Sequence, residues 1–315
     1  MNIPMLQSVA SAVRCHRVTF GACASACAWL GLFLSTPTVS AQTQTGRKVN
    51  ARPAPTHADV RYGEHERNRF DLWLPKANSK ATAESADASD ASDRAEPLPV
   101  LVYFHGGGFV AGDKSAFQPQ AFLDAGMAVV SANYRFVDGK TTLGEAPLLD
   151  SARVIQYLRH QAKPWNLSGD RIAVSGSSAG AVISMWIGYH DDLARRDSDD
   201  PVARQSSRVK CILPINGPTN LDPQWIHRNL GGPAVVHGSF VKMFGVLATS
   251  PESSSPAVQA RIVECSPMHH VSKDDPPSLL LYTGPAEGVP LPETASTGVL
   301  IHHAHFGKLL KQRLD

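Results

Sequence analysis

Charge of one sign is what this sequence lacks most plainly. Across 315 residues, Lys plus Arg number 30 and Asp plus Glu 28, a formal net charge of +2. That near-balance offers no basic footprint, so a nucleic-acid partner is not expected. Long apolar runs are missing from the body of the chain, so no membrane span is expected in the mature protein. No internal repeat is visible. Cysteine is scarce: of five in the chain, Cys15, Cys23 and Cys27 fall in the first 30 residues, leaving Cys211 and Cys265. Those two could form one disulfide or remain two separate buried thiols, and the sequence leaves both open.

The amino-terminal stretch differs from the rest. Arg14, His16 and Arg17 precede the apolar, small-residue run VTFGACASACAWLGLFL, and Val39 and Ala41 stand at the small-residue positions of an A-x-A-like exit. A charged region, an apolar region and such an exit predict a secretory signal peptide over 1–41, hence an exported (periplasmic or secreted) protein. The competing reading is a membrane anchor helix. Residues 42–57 are polar and proline-containing and read as a flexible lead-in. Residues 77–97, ANSKATAESADASDASDRAEP, are low-complexity Ala, Ser and Asp, and are expected to form a disordered insertion on a domain covering 58–315.

Within that domain the pattern alternates. ADVRYGEHERNRFDLWLP contains two short β-like pieces; PVLVYF (99–104) and MAVVSANY (127–134) are continuous apolar runs of the kind found in strands covered on both faces. SAFQPQAFLDAG reads as a short helix closed by Gly126. APLLDSARVIQYLRHQA is a longer one, with Leu148, Ala152, Ile155 and Leu158 on one face. RIAVSG, VKCILPING and SLLLYTG supply three further strands. Strands alternating with helices predict a single α/β domain with a mostly parallel sheet and helices on both faces.

RIAVSGSSAGAVISMWIGYH is the most informative stretch. Its Gly176-Ser177-Ser178-Ala179-Gly180 is a G-x-S-x-G between a predicted strand and an apolar, helix-like run. A sharp turn there forces the central serine into strained backbone geometry and projects its oxygen above the sheet edge, beside a helix N-terminus. Only Ser178 has glycine two positions away on both sides, so it is the expected nucleophile. Ser175 and Ser177 read as exposed turn hydroxyls. Upstream, YFHGGGFVAGD places Gly106, Gly107 and Gly108 directly after a strand, where unobstructed backbone N–H groups can hold the oxyanion of an acyl-transfer intermediate.

With HGGGF (105–109), SANYRF (131–136), DRIAVSGSSAG and DDPPSLLLYTG (274–284), the chain resembles the α/β-hydrolase superfamily. Within it, the likeness is to the hormone-sensitive-lipase-like and bacterial feruloyl-esterase-like (BD-FAE) carboxylesterases. The resemblance implies a serine esterase, or lipase, working through an acyl-enzyme on Ser178, and the amino-terminal pattern adds that it is exported. It implies an oxyanion hole from Gly107, Gly108 and Ala179, and His105 as a loop-orienting residue rather than the base. The substrate would be a small-molecule ester, with no metal or organic cofactor. A prolyl-peptidase-like amidase and a non-catalytic relative are the competing readings.

The rest of the triad fits the pattern less well. The acid is expected just after SLLLYTG, where Glu287 of TGPAEGVP stands in place of the usual aspartate. Asp274 and Asp275 lie at the wrong end of that strand, and Glu293 is a further candidate. The base should follow one more helix and strand. The tail IHHAHFGKLLKQRLD is itself helical in pattern, with His302, Phe306, Leu310 and Leu314 on one face. His302, His303 and His305 are therefore expected at the start of a packing helix, the base is not identified among them, and the chain is expected to stop short of the last strand. His269 and His270 precede the acid strand and break the order. The HHAH cluster lacks the Cys or H-E-x-x-H partners of a metal site.

Overall fold

A computed structural model describes residues 51–76, 96–234 and 237–315. The expected signal segment 1–41 and nearly all of the insertion lie outside the described residues. In chain order the strands are β1 (His57–Arg61), β2 (Arg69–Trp73), β3 (Leu98–Phe104), β4 (Ala128–Ala132), β5 (Leu167–Ser177) and β6 (Cys211–Ile215). The helices are α1 (Gln120–Asp124), α2 (Pro147–His160), α3 (Ala179–Tyr189), α4 (Pro223–Leu230), α5 (Phe240–Phe244), α6 (Pro256–Cys265), α7 (Thr297–Ile301) and α8 (His305–Leu314).

The sheet runs β1-β2-β4-β3-β5-β6. β2 is antiparallel to both β1 and β4, and β3, β4, β5 and β6 pair in parallel. Alternate side chains of β3 enter different cores: Val100, Val102 and Phe104 join one cluster with α2 and α3, while Leu101 and Tyr103 join another with Phe117, Phe122 and Leu123. Helices therefore cover both faces, which is why the parallel strands read as unbroken apolar runs. The four residues placed on one face of α2, Leu148, Ala152, Ile155 and Leu158, are all buried. Cys211 and Cys265 are both free thiols.

SLLLYTG, expected as a strand, lies beside β6 in parallel but makes only isolated bridges, at Ile212 to Ser278 and Ile215 to Leu281. The ladder itself is there: Ile212 N–H donates to Pro277 O, Leu279 N–H to Ile212 O, Leu281 N–H to Pro214 O and Asn216 N–H to Leu281 O, at 2.8–3.1 Å. The absent rung is at Pro214, which has no N–H to give.

A polar cluster locks the crossover after β4. Asp150, on α2 and 5% exposed, accepts both Nε and Nη2 of Arg135 at 2.6–3.0 Å, the Arg135 backbone N–H at 3.0 Å and Asn68 Nδ2 at 2.8 Å. Tyr62 Oη donates to Asn133 O at 2.6 Å. These bonds fix the Tyr134–Arg135–Phe136 segment, and Tyr134 Oη in turn donates to the His105 carbonyl at 2.8 Å. The loop after β3 is thus tied to the strand beside it.

Candidate active site

The turn from β5 into α3 carries Ser178 at φ 55°, ψ −114°, a backbone region that a non-glycine residue occupies only under constraint. The constraint comes from close packing on either side. A Cβ on Gly176 would lie 2.4 Å from Gly180 O, and one on Gly180 would lie 1.9 Å from Phe104 O, so only glycine lets strand, turn and helix approach this closely. Ser178 N–H donates to Ile215 O at 2.9 Å, anchoring the turn to the end of β6. α3 is buried along all eleven residues. Ser175 is not an exposed turn hydroxyl: it lies within β5, is buried, and donates from Oγ to Leu213 O at 2.8 Å.

The glycine loop leans on this turn. A Cβ on Gly106 would come within 2.9 Å of Ser177 O and 3.4 Å of Ser178 Cβ. Gly107 at φ 111° and Gly108 at φ 59° adopt left-handed conformations, and a Cβ on Gly107 would strike Ala111 O at 2.1 Å. His105 holds the loop from beneath. Its Nδ1–H donates to Gly106 O at 2.7 Å, because Nε2 faces an Arg67 donor at 3.4 Å and must accept. Its ring stacks on Tyr134 with centroids 4.4 Å apart. Burial drops its pKa to about 4, so the ring stays neutral and unavailable as a base near neutral pH. The N–H of Ala179 is the first of the orphan donors at the start of α3, on the same side as the loop.

The residue that reaches Ser178 comes from the tail. His302 Nε2 lies 2.9 Å from Ser178 Oγ. This corrects the expectation that the tail histidines open a packing helix away from the nucleophile. The tail is two helices rather than one: Ser296 caps α7 through a bond from Val299 N–H, α7 ends at Ile301, and α8 begins only at His305. The break at 302–304 frees the His302 ring to turn toward Ser178 while Leu300, Phe306 and Leu310 stay buried. Burial pushes the His302 pKa below the ordinary histidine value; a hydrogen bond from the ring to the Gly298 carbonyl opposes that shift, and nearby His237 adds to it.

Among the described residues no carboxylate takes the place of that carbonyl. Glu287 is exposed and lies beside His303, whose ring bonds to the Glu287 backbone carbonyl and senses its charge, one residue away from the histidine that faces Ser178. His305 Nδ1 contacts Ala286 O at 3.1 Å, so His303 and His305 pin the 284–290 loop. Glu293 is exposed. Asp274 pairs with Arg208 and Ser272, and Asp275 accepts from Ser272, which makes both loop residues.

A cleft of about 470 Å³, its open mouth included, lies beside Ser178, with Phe109, Val182, Leu221, Ile226, Met243 and Ile301 among its apolar walls. His237 and Ser239 add polar atoms to that lining, and His237 has no sequence motif to announce it. Its Nδ1 receives the Ser239 backbone N–H at 3.1 Å and sits 2.6 Å from Ser239 Oγ. Nδ1 is therefore an acceptor, and in the neutral ring Nε2 carries the proton. That edge rests on the glycine loop: a Cβ on Gly108 would lie 2.6 Å from His237 Cε1 and 3.3 Å from Nε2. Desolvation also lowers the His237 pKa, which favours this neutral, donating form. The assembly can thus supply a constrained hydroxyl, an imidazole in contact with it, backbone donors at a helix N-terminus and an apolar recess.

The chain is similar to known proteins in sequence and in fold. In sequence, the chain is 27% identical over 165 residues to the probable isoprenylcysteine α-carbonyl methylesterase ICMEL1 of Oryza sativa subsp. japonica, covering 51% of this chain and 34% of that protein. It is 27% identical over 226 residues to the juvenile hormone esterase of Heliothis virescens, covering 61% and 38%. The chain thus spans little more than a third of the length of these curated relatives. In structure, it superposes on an acetyl ester-xyloside bifunctional hydrolase from Caldicellulosiruptor lactoaceticus with a TM-score of 0.56 at 22% identity, covering 83% and 82% of the two chains. The thermophilic esterase 2 of Thermogutta terrifontis, with propionate bound, gives 0.53 at 19% identity, covering 83% and 80%. These matches show a shared α/β-hydrolase fold. The BD-FAE family model matches residues 87–296. On that match, which spans the glycine loop and the serine turn, the chain belongs to the BD-FAE family.

Proposed function

We propose that this protein hydrolyses carboxylic esters through an acyl-enzyme on Ser178, with His302 as the base. One observation carries the reading: the 2.9 Å contact between His302 Nε2 and the Oγ of a serine held at φ 55°. Neutral His302 takes the hydroxyl proton as Oγ bonds to the ester carbonyl carbon. The carbonyl oxygen becomes an oxyanion, received by the N–H groups of Ala179 and of Gly107 and Gly108. The imidazolium then returns the proton to the departing alkoxide. Water, deprotonated by the same ring, releases the acid and restores Ser178. His237 Nε2–H is a further donor at the loop, and the apolar cleft takes the hydrocarbon part of the ester.

The absence of a carboxylate on His302 favours one competing reading, a nucleophile without an adequate base. Hydrolysis of p-nitrophenyl acetate separates the two. On the proposed reading, Ser178→Ala and His302→Ala each cut kcat by about 10³-fold or more. Activity lost in Ser178→Ala but kept in His302→Ala removes His302 from the mechanism. Equal background rates in all three proteins remove the esterase reading. Export is likewise proposed, on the charged, apolar and small-residue order of residues 14–41. Fractionation of expressing cells, with amino-terminal sequencing of the mature protein, tests it.

A further inference from the structure

The far end of α3 carries a cluster that the ester chemistry does not use. His190, the residue after α3, Glu264 on the last turn of α6 and His270 in the following short turn each offer a ligand atom, and the three atoms lie within 4.8 Å of one another. Ser178 caps the start of α3 and His190 follows its end, which puts this cluster about 18 Å from Ser178 along the helix axis.

Both imidazoles are held in the way metal-binding histidines are held. His190 Nδ1 lies 2.9 Å from Asp191 O, so Nδ1–H donates and Nε2 is left to face the cluster. His270 Nε2 lies 2.7 Å from Glu264 O, so Nε2–H donates there and Nδ1 is left. The Glu264 carbonyl that orients His270 is itself fixed by Trp186 Nε1–H at 2.9 Å, and the Trp186 ring lies against His190 with centroids 4.2 Å apart. His190 Nε2 and Glu264 Oε1 are 3.1 Å apart. Two lone-pair atoms do not sit at that distance without something positive between them, either a proton on Nε2 or a metal ion in its place. Tetrahedral zinc with ligand bonds of about 2.0–2.1 Å spaces its ligand atoms about 3.3 Å apart. The His190–Glu264 edge is therefore already at the right size, and the widest pair must close by roughly 1.5 Å. Side-chain rotation supplies that at the surface, where the Glu264 side chain is 56% exposed and leaves an entry path and a water position. Arg208, a nearby cation, is engaged by the His190 carbonyl and by Asp274.

The geometry points to a divalent transition-metal site of the zinc class formed by His190, Glu264 and His270. Binding exchanges the Nε2 proton for the metal, and one proton leaves per ion bound when His190 starts protonated. The site would clip the end of α3 to the α6 turn. That turn reaches the cleft: Met268 N–H donates to Thr219 O, and Ser266 Oγ receives Leu221 N–H, both at 2.9 Å. Leu221 is part of the apolar wall beside Ser178, so the metal would brace the acyl recess without touching the reacting atoms.

The test uses the full chain, stripped with chelator, dialysed and titrated with Zn²⁺ and with Co²⁺. The expected result is one tightly held Zn²⁺ per chain, a tetrahedral Co²⁺ absorption spectrum, and a melting temperature that rises with free Zn²⁺. All three are expected to vanish in His190→Ala and in His270→Ala, to weaken in Glu264→Gln, and to persist in His303→Ala, which probes the tail histidines. Circular dichroism of each metal-free variant checks folding, and the more conservative His190→Asn replaces His190→Ala if that variant misfolds. Binding that survives both His190 and His270 substitution, or Zn²⁺ affinity no tighter than about millimolar, overturns the site.

Discussion

Glu287 stands beside His303, and His302, one residue earlier, bonds to the Gly298 carbonyl on the side away from Ser178. The pair is out of step by one position with a serine–histidine–acid relay. A carbonyl orients the imidazole and fixes its tautomer, but it brings no full negative charge to stabilise the imidazolium that forms during turnover.

If the carbonyl is the orienting group, Glu287 is dispensable to the chemistry. Glu287→Gln is expected to change kcat for p-nitrophenyl acetate less than about threefold, against a loss of about 10³-fold or more for His302→Ala. Steady-state kinetics on the two variants decides it, and comparable losses in both would place Glu287 in the relay.

Burial sets the acidity of the base. The neutral ring is the active form, and burial favours it by lowering the His302 pKa below 6.5. The rate kcat/KM should therefore rise with pH along a limb whose midpoint lies below 6.5, and be level between about pH 7 and 8. A limb centred above 6.5 would contradict the burial argument.

His237 should act on the rate more than on binding. His237→Phe removes the Nε2–H that lies over Gly108 while keeping a ring in the cleft, and kcat is expected to fall about 10- to 100-fold with KM little changed. His237→Gln restores a side-chain N–H donor and should recover part of the loss. An unchanged kcat in His237→Phe removes this donor from the reaction.

Two glycine substitutions separate steric contact from backbone strain. Gly126→Ala places a methyl in open space at φ 78°, a cost of about 1–2 kcal/mol. Gly180→Ala drives one to within 1.9 Å of Phe104 O, inside the helix–strand contact that holds Ser178. It should destabilise by several kcal/mol more, or prevent folding. Denaturant unfolding of both variants measures the difference.

The elements that build this fold are legible where the chain repeats a simple period. The apolar runs of β3, β4 and β5, the Leu148–Ala152–Ile155–Leu158 face and the serine turn all arise from local patterns, and the structure places them accordingly. The His302 contact is of another kind. The 3.6-residue period over residues 302–314 is real, and Phe306 and Leu310 are buried as it requires. Yet the period says nothing about a break at 302–304, which arises from the Ser296 cap on a single-turn helix and from the pinning of the 284–290 loop by His303 and His305. The order of elements along the chain sets the tail histidines apart from Ser178; one side chain turned at a helix break brings His302 to it. SLLLYTG reads as a strand, but the rung lost at Pro214 follows from pairing and not from its own residues. His237 has no periodic or motif signal, since its role depends on a backbone N–H two residues ahead and on a loop more than a hundred residues earlier.

The two partners of the Ser178–His302 contact stand on ground of very different firmness. Ser178 opens a helix with no exposed residue, packed into the main core, whereas His302 ends a five-residue turn in which Gly298 and Val299 face solvent. Local opening is governed by how much each segment buries, so the turn releases its histidine at a free-energy cost well below that of unfolding the sheet. Warming would part the two side chains before the protein melts: the Ser178–His302 contact is lost while most of the molecule still looks native.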